Sequence, residues 1–407
     1  MSERKTNTGG REATLSVIPG KFALSVGKPR LPEPAGFTWT KLTDVARIES
    51  GHTPSRTKEE YWNGPIPWIG IREATGNHGK TIYETSQSIT ELGLNNSSTR
   101  LLPAETVCLS RTASVGYVVK MGVPMATSQD FVNWVCGPQL SSSYLMYILM
   151  AEQDSVRRFS HGTTHQTMYY PEAKALNVLI PPRPEQDGIV EVLGALDDKI
   201  AVNTKMVQSA EELLQCSYRG LINAVPSTRV LVESLIHRIT PKRKFSKEEL
   251  LTQGDFPVFD QSEVGLLGYL NGEGFLDSSA ERPILYFGDH TCKLRLASER
   301  FTVGPNTVPF TGSGIPSLTL YCALNGLQNH EEYKRHWQLL LKKEVEIPDS
   351  VQATDFASRY RHLLKVIQSA NRENTLLAAT RDVLLPQLMS GKLRVKDAEN
   401  VLERAGV

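Results

Sequence analysis

Hydrophobic and polar positions along the chain alternate between two periods, and each period occurs twice. From Phe37 to Ile180, short runs rich in β-branched and aromatic residues, such as "VCLSRTASVGYVVKM" and "FVNWVC", are cut by glycine and proline turns, the signature of strands. One helical stretch interrupts them: "SSSYLMYILMAEQDSVRRF" opens on serines suited to an N-cap. These features predict an α+β globule. The period then changes. From Gln186 to Ala224, Leu193, Leu196, Ile200, Asn203, Val207, Ala210, Leu214, Ser217 and Leu221 fall at alternating steps of three and four, the spacing of a two-helix seam.

The second half repeats this plan from about Val230. Strand candidates "DFPVFDQ", "RPILYFGD" and "FTVGPNTVPFT" precede a helix near "EEYKRHWQLLLKK", and a last long helix starts near Ala353. Its positions Phe356, Tyr360, Leu363, Ile367, Ala370, Asn374, Leu377, Arg381, Leu384 and Leu388 hold the same spacing, until Pro386 and Gly391 weaken and stop it. Each stripe contains an asparagine, Asn203 or Asn374, able to set register at some cost in stability. In both halves a strand ends in Ile-Pro, at Ile180-Pro181 and Ile347-Pro348, just before its long helix. The repeat is too long for a solenoid and implies a duplicated domain-plus-helix unit. A helix of ~28 residues is about 42 Å long, against roughly 34 Å per turn of B-form DNA. Two globules held by such a rod could address successive major-groove faces; otherwise each helix packs on its own globule.

Composition narrows the options. The 407 residues, 40% hydrophobic and 22% charged, have room for two or three ordinary globular domains. The formal net charge is +1, so any polyanion surface must come from local segregation of charge. Five cysteines without a CxxC pair suit structural thiols in a reducing cytosol better than disulfides or zinc. The apolar run Tyr144 to Met150 is too short for a bilayer, and the N-terminus lacks a signal-peptide pattern, so residues 1–36 read as a flexible arm on a cytoplasmic protein.

Several segments imitate active sites. Phe310-Thr311-Gly312-Ser313-Gly314 matches the F-x-G-x-G loop of S-adenosylmethionine enzymes, but no N-P-P-F/Y or D-P-P-Y motif accompanies it, and a turn closing a β-hairpin is the better reading. His161 and His165 have zincin-like spacing without the glutamate, so no metal site is assigned. "SGKL" near Lys392 lacks the upstream glycine of a phosphate loop. No catalytic, cofactor-binding or metal-binding residue is assigned. For polyanion contact the best cluster is "HRITPKRKFSKEE", with Arg238, Lys242, Arg243, Lys244 and Lys247 little diluted by acid before Glu248. In the first globule the candidates are Arg56 and Lys58 in "TPSRTK", Arg111, and the polar loop containing His161, Thr163, Thr164, His165 and Gln166. Apolar residues outside the seam, Ile189, Val190, Leu376, Val383 and Leu385, suggest an outer face for a helical partner.

"WTKLTDVARIESGHTPSR" with "YWNGPIPWIGIRE", the loop "SHGTTHQTMYY", "LIPPRPEQDGIVEVLGALDDKI" and "TRDVLLPQLMSGKLRV" resemble, in this order, the specificity subunit of type I restriction-modification systems. The second half departs by lacking a counterpart of Gly162-Thr163-Thr164 before its helix, so it resembles a different subtype of the domain. The resemblance implies an arm (1–36), a first target recognition domain (37–183), a proximal spacer helix (184–226), a second recognition domain (227–348), a distal spacer helix (349–396) and a tail (397–407). It implies a pseudo-twofold α+β protein whose recognition domains are separated by an antiparallel coiled-coil spacer, with Leu193, Leu196, Ile200, Asn203, Val207, Leu214, Leu363, Ile367, Asn374, Leu377 and Leu384 in the seam. The implied role is a non-catalytic reader of a split, asymmetric site on double-stranded DNA, serving a phage-defence complex away from the membrane. Two modification subunits would use S-adenosylmethionine, and restriction or motor subunits would use ATP and Mg. The alternatives are a DNA adenine methyltransferase and an adaptor that reads no DNA.

Overall fold

The computed structural model describes residues 17–405 except 161–165, 263, 273–274 and 331–334. The chain forms two compact units: residues 1–198 with 377–407, and residues 199–376.

In the first unit the strands are β1 (Ile18–Pro19), β2 (Leu24–Val26), β3 (Thr38–Lys41), β4 (Ala46–Ser50), β5 (Trp62–Ile69), β6 (Thr81–Ile82), β7 (Ser88–Ile89), β8 (Val107–Ser110), β9 (Val118–Met121), β10 (Ala126–Thr127), β11 (Phe131–Cys136) and β12 (Leu176–Ile180). They make three sheets, ordered β1-β2-β12-β3, β10-β5-β7 and β4-β11-β8-β9-β6. All residues of β8 and β9 are buried, as their near-continuous apolar sequences require of strands covered on both faces. The helix Ser142–Ala151 is capped by the Ser141 hydroxyl, which accepts from the Tyr144 amide, and lies against β8 and β9.

The expected arm is partly built into this unit. Residues 18–26 form β1 and β2, and β2 pairs antiparallel with β12. The cause is Glu152, whose fully buried carboxylate accepts from four successive main-chain amides: Lys21 at 2.8 Å, Phe22 at 2.5 Å, Ala23 at 2.6 Å and Leu24 at 3.1 Å. A buried charge is tolerated when hydrogen bonds saturate it, and here the partners are donors that the tight turn leaves unpaired. The tail is likewise structured. Residues Val395–Ala405 form a helix with Ala398 and Leu402 buried, and the preceding Arg394 pairs with Glu185 at 3.3 Å.

The second unit contains β13 (Ser227–Leu231), β14 (Ile236–Arg238), β15 (Phe256–Phe259), β16 (Leu266–Leu270), β17 (Ile284–Gly288), β18 (Leu294–Ala297), β19 (Thr302–Val303), β20 (Thr307–Gly312) and β21 (Glu344–Pro348). Its sheets are β13-β21, β14-β20-β17-β18 and β16-β15-β19. The first unit contains the same wiring. β4-β11-β8-β9 corresponds to β14-β20-β17-β18, all antiparallel. β5, parallel to β10 and antiparallel to β7, corresponds to β15, parallel to β19 and antiparallel to β16. Each globule closes with a strand that enters a long helix: β12 leads to Arg183–Ala224, and β21 to Ser350–Met389. The repeat anticipated from the two Ile-Pro steps is therefore a repeat of topology.

Within the second unit the two helices run antiparallel. Asn203 donates to Glu373 at 2.7 Å, and Asn374 donates to the Thr204 hydroxyl at 3.3 Å. Farther along, Tyr218 meets Phe356 edge-on at 5.7 Å. Leu196, Asn203 and Ala210 on one helix, and Ala370, Leu377 and Leu384 on the other, are buried at heptad spacing. Leu193 and Leu214 are also buried, whereas Ile200, Val207, Leu363, Ile367 and Asn374 are half-buried. Leu214, Tyr218, Phe356 and Leu364 also join the core of the second globule with Leu285, Phe310 and Trp337. The helices thus pack on each other and on that globule. In the first unit, Asp197 holds Arg381 at 2.7 Å and Tyr147 at 2.8 Å.

The outer apolar face is smaller than the sequence suggested. Ile189 and Leu385 are buried within the first unit and Val190 is half-buried, so only Leu376 and Val383 of those five are exposed. The last long helix continues through Pro386, which removes one main-chain donor from its final turn, to Met389, and Gly391 then adopts φ +68°, the left-handed C-terminal stop.

Two outcomes are expected. Glu152→Ala would leave the buried amides of Ala23 and Leu24 and the half-buried amide of Phe22 without this acceptor and destabilise the first unit by about 3 kcal/mol or more, read as a fall in thermal midpoint. The neutral imidazole of His78 accepts from the Val118 amide at 3.1 Å, and burial, followed by the charges of Arg157 and Arg381, holds its pKa below the ordinary 6.5. A depressed folded pKa gives stability that is present above 6.5 and lost as pH falls toward the folded value. His78→Gln should therefore flatten the acid-side decline of thermal stability.

Candidate nucleic-acid interface

The loop between β4 and β5 carries the first cationic candidates, and it is held from several sides. A Cβ at Gly51 would lie 2.1 Å from the Thr127 hydroxyl oxygen, so only glycine allows the loop to leave β4 this close to the next segment. His52 then donates its amide to the Thr127 carbonyl at 2.9 Å. Trp62 and Trp68, on either side of an irregularity in β5, meet edge-to-face at 5.3 Å. Their indole N–H groups donate to carbonyls of the loop, Trp62 to Ser55 at 3.1 Å and Trp68 to His52 at 3.2 Å.

Arg56 lies on this platform. Its guanidinium is 4.1 Å from the Trp62 ring centroid and 5.1 Å from that of Trp68, and it donates to the Gln87 side-chain oxygen at 3.2 Å. The residue is exposed, so the stack orders the cation without removing it from water. Lys58 donates to the Tyr61 hydroxyl at 3.1 Å; that bond raises its pKa and keeps the amine charged.

Arg111 lies beside the same edge with two of its donors engaged by main-chain carbonyls. Its Nε donates to the Gln129 carbonyl at 3.1 Å, one Nη donates to Met168 at 3.3 Å, and the cation lies 5.0 Å from the Tyr170 ring. Thr53 donates to the Gln129 side chain at 2.5 Å, which joins the Arg56 loop to the segment Arg111 holds. A bridge between Thr112 and Thr167 brings exposed Gln166 alongside. Arg56, Arg111 and Gln166 therefore belong to connected segments of one edge. His161, Thr163, Thr164 and His165 lie outside the described residues.

The corresponding loop of the second unit, between β14 and β15, carries the basic cluster. Arg243 lies over the Phe245 ring at 4.9 Å and pairs with Glu249. The same carboxylate caps a short turn, accepting from the Ser246 amide at 2.9 Å. Lys244 donates to the Thr307 carbonyl at 2.8 Å, and its pKa is lowered by burial and then by Arg238. The side chains of Arg238, Lys242 and Lys247 are exposed and make no hydrogen bond or ion pair among the described residues. The cluster is less cationic than its sequence implied, because chain folding returns Glu249 onto Arg243.

The F-x-G-x-G segment is not a hairpin turn. β20 ends at Gly312 and the chain passes directly into the helix Ser317–Leu324; a Cβ on Gly312 would come 2.0 Å from the Ile315 carbonyl oxygen. Its glycine thus serves a tight strand-to-helix turn. Among the described residues no group of three or more His, Cys, Asp or Glu side chains is placed to hold a metal ion.

The sequence reading missed the supports of the cations: Trp62, Trp68, Gln87, Gln129 and Phe245. The two tryptophans close together in β5 were the available signal, whereas the glutamines come from segments that only tertiary folding brings near.

Comparisons with known proteins agree with this arrangement. The family described as type I restriction modification DNA specificity domain matches residues 34–212. The type I restriction enzyme MjaIX specificity subunit of Methanocaldococcus jannaschii is 29% identical over 415 residues, covering 89% of this chain and 95% of that protein. The chain is thus similar to type I restriction enzyme specificity subunits along most of its length. Another relative, the EcoR124I/EcoR124II specificity subunit of Escherichia coli, is 26% identical over 201 residues, which is 46% of this chain and 48% of that protein. The crystal structure of a type I system S subunit from M. genitalium shares the fold at a TM-score of 0.58 and 16% identity, covering 89% of this chain and 98% of that one.

Proposed function

We propose that this chain is the DNA sequence-specificity subunit of a type I restriction-modification complex. Each globule binds one half of a split, asymmetric site on double-stranded DNA, and the long helices set the interval between the halves. The observation that carries this reading is the repeated topology: two globules of one wiring, each presenting a cationic loop after the same strand, joined to antiparallel helices. With a net charge of +1, and with Arg56 and Lys58 followed directly by Glu59 and Glu60, binding in this reading rests on a few oriented cations and not on bulk charge.

The contacting residues are taken to be Arg56, Lys58 and Gln166 in the first globule and Arg238, Lys242, Arg243 and Lys247 in the second. Arg111 and Lys244, whose donors engage main-chain carbonyls, act by shaping those surfaces. The chain performs no covalent chemistry in this scheme. Two modification subunits transfer the methyl group from S-adenosylmethionine, and restriction or motor subunits use ATP and Mg. The exposed Leu376 and Val383 would lie at or near contacts with those partners. Among the described residues, no helix is long and apolar enough to cross a membrane.

Mapping methylated adenines in cells carrying this gene and its modification partner should give one split motif with a fixed gap. Inserting four residues, about one helical turn, after Asn203 should change the gap and leave both half-motifs intact. A changed half-motif with an unchanged gap would remove the helices from the role of ruler, and complexes that bind random and specific duplexes equally would point to the adaptor instead.

A further inference from the structure

The two cationic loops share a short sequence as well as a place in the fold. Thr53-Pro54-Ser55-Arg56 and Thr240-Pro241-Lys242-Arg243 both read T-P-x-R, the first between β4 and β5, the second between β14 and β15. In each, the arginine lies over an aromatic ring, Trp62 at 4.1 Å or Phe245 at 4.9 Å. Each is also held by a side-chain oxygen, from Gln87 or Glu249. The surroundings differ: the first loop is clamped by two indole N–H groups, whereas the second is closed by the Ser246–Glu249 capping turn.

A feature repeated in two domains that read different half-sites must meet what the half-sites have in common. That common part is the sugar-phosphate backbone, whose contacts position a protein without carrying sequence information. Resting on the DNA-reading function above, we propose that Arg56 and Arg243 are equivalent phosphate anchors, one per recognition domain, and that base reading belongs to the loops that differ.

The anchors are unequal in strength. Gln87 is neutral, so Arg56 presents a full positive charge, already oriented by its ring. Glu249 offsets the charge of Arg243, and binding a phosphate there means competing with a carboxylate. The first domain therefore supplies the stronger, salt-sensitive grip, and Glu249 moderates the second.

The test uses the full chain assembled with its modification subunits, measuring duplex binding by fluorescence anisotropy across salt concentrations and the methylated motif by sequencing. Arg56→Ala should weaken binding to specific and random duplexes alike, by about three- to tenfold, and reduce the slope of log affinity against log salt by about one. Arg243→Ala should have a smaller effect, and Glu249→Gln should tighten binding about two- to fivefold without altering the motif. Arg56→Lys, which keeps the charge, should keep the slope, and thermal midpoints check that the variants fold. An Arg56→Ala complex whose motif relaxes at one base pair would make Arg56 a base reader and overturn the proposal. Unchanged affinity and slope in both arginine variants would make the arginines structural and also overturn it. A wild-type complex without any sequence preference would instead overturn the DNA-reading function on which the proposal stands.

Discussion

The structure depends on the second long helix returning antiparallel to the first in a single register. Aliphatic side chains at heptad positions provide adhesion but tolerate sliding, since one leucine fits another's place. Asn203 does not slide freely. It is almost fully buried, and its amide is satisfied by Glu373, which also faces Lys199 at 3.5 Å. A shift of register would leave that amide opposite hydrocarbon at a cost of about 1–3 kcal/mol. Asp197, bonded to both Arg381 and Tyr147, imposes a comparable condition within the first unit. Because residues 377–407 complete the unit begun by residues 1–198, this register also decides which parts of the chain share a core.

On that frame, charge placement matters more than charge count. Lysine and arginine barely outnumber aspartate and glutamate, 45 against 44, so recognition of a polyanion has to come from a few oriented cations. The fold sorts them by what their donors engage. Arg111 and Lys244 stabilise loops by bonding to carbonyls, whereas Arg56 is steadied by aromatic faces and one neutral amide, leaving its charge available. Rigid strands carry these loops, so orienting each cation costs little entropy at the moment of contact.

Legibility of the sequence varied with the range of the interaction. The two long helices and their seam were readable, because heptad spacing is written in neighbouring residues; the buried Leu193, Leu196, Leu377 and Leu384 lie where that spacing puts them. The duplication was readable from the two Ile-Pro steps, although the matching strand orders were not. Residues 18–26 looked like part of a loose arm because nothing local announces their acceptor, a carboxylate contributed by Glu152 about 130 positions away. Ile189 and Leu385 looked available to a partner because helical periodicity alone cannot say which of two apolar faces a globule covers.

The sequence by itself determined the α+β character of each globule, the antiparallel-capable stripes and the candidate cations, since these follow from local period and residue type. Only the tertiary structure decided which cations stay available. Glu249 folding back onto Arg243, Gln87 meeting Arg56 and the Gln129 carbonyl capturing Arg111 are encounters between segments that no spacing rule connects. Their strength falls steeply with distance, and distance is set by the completed fold.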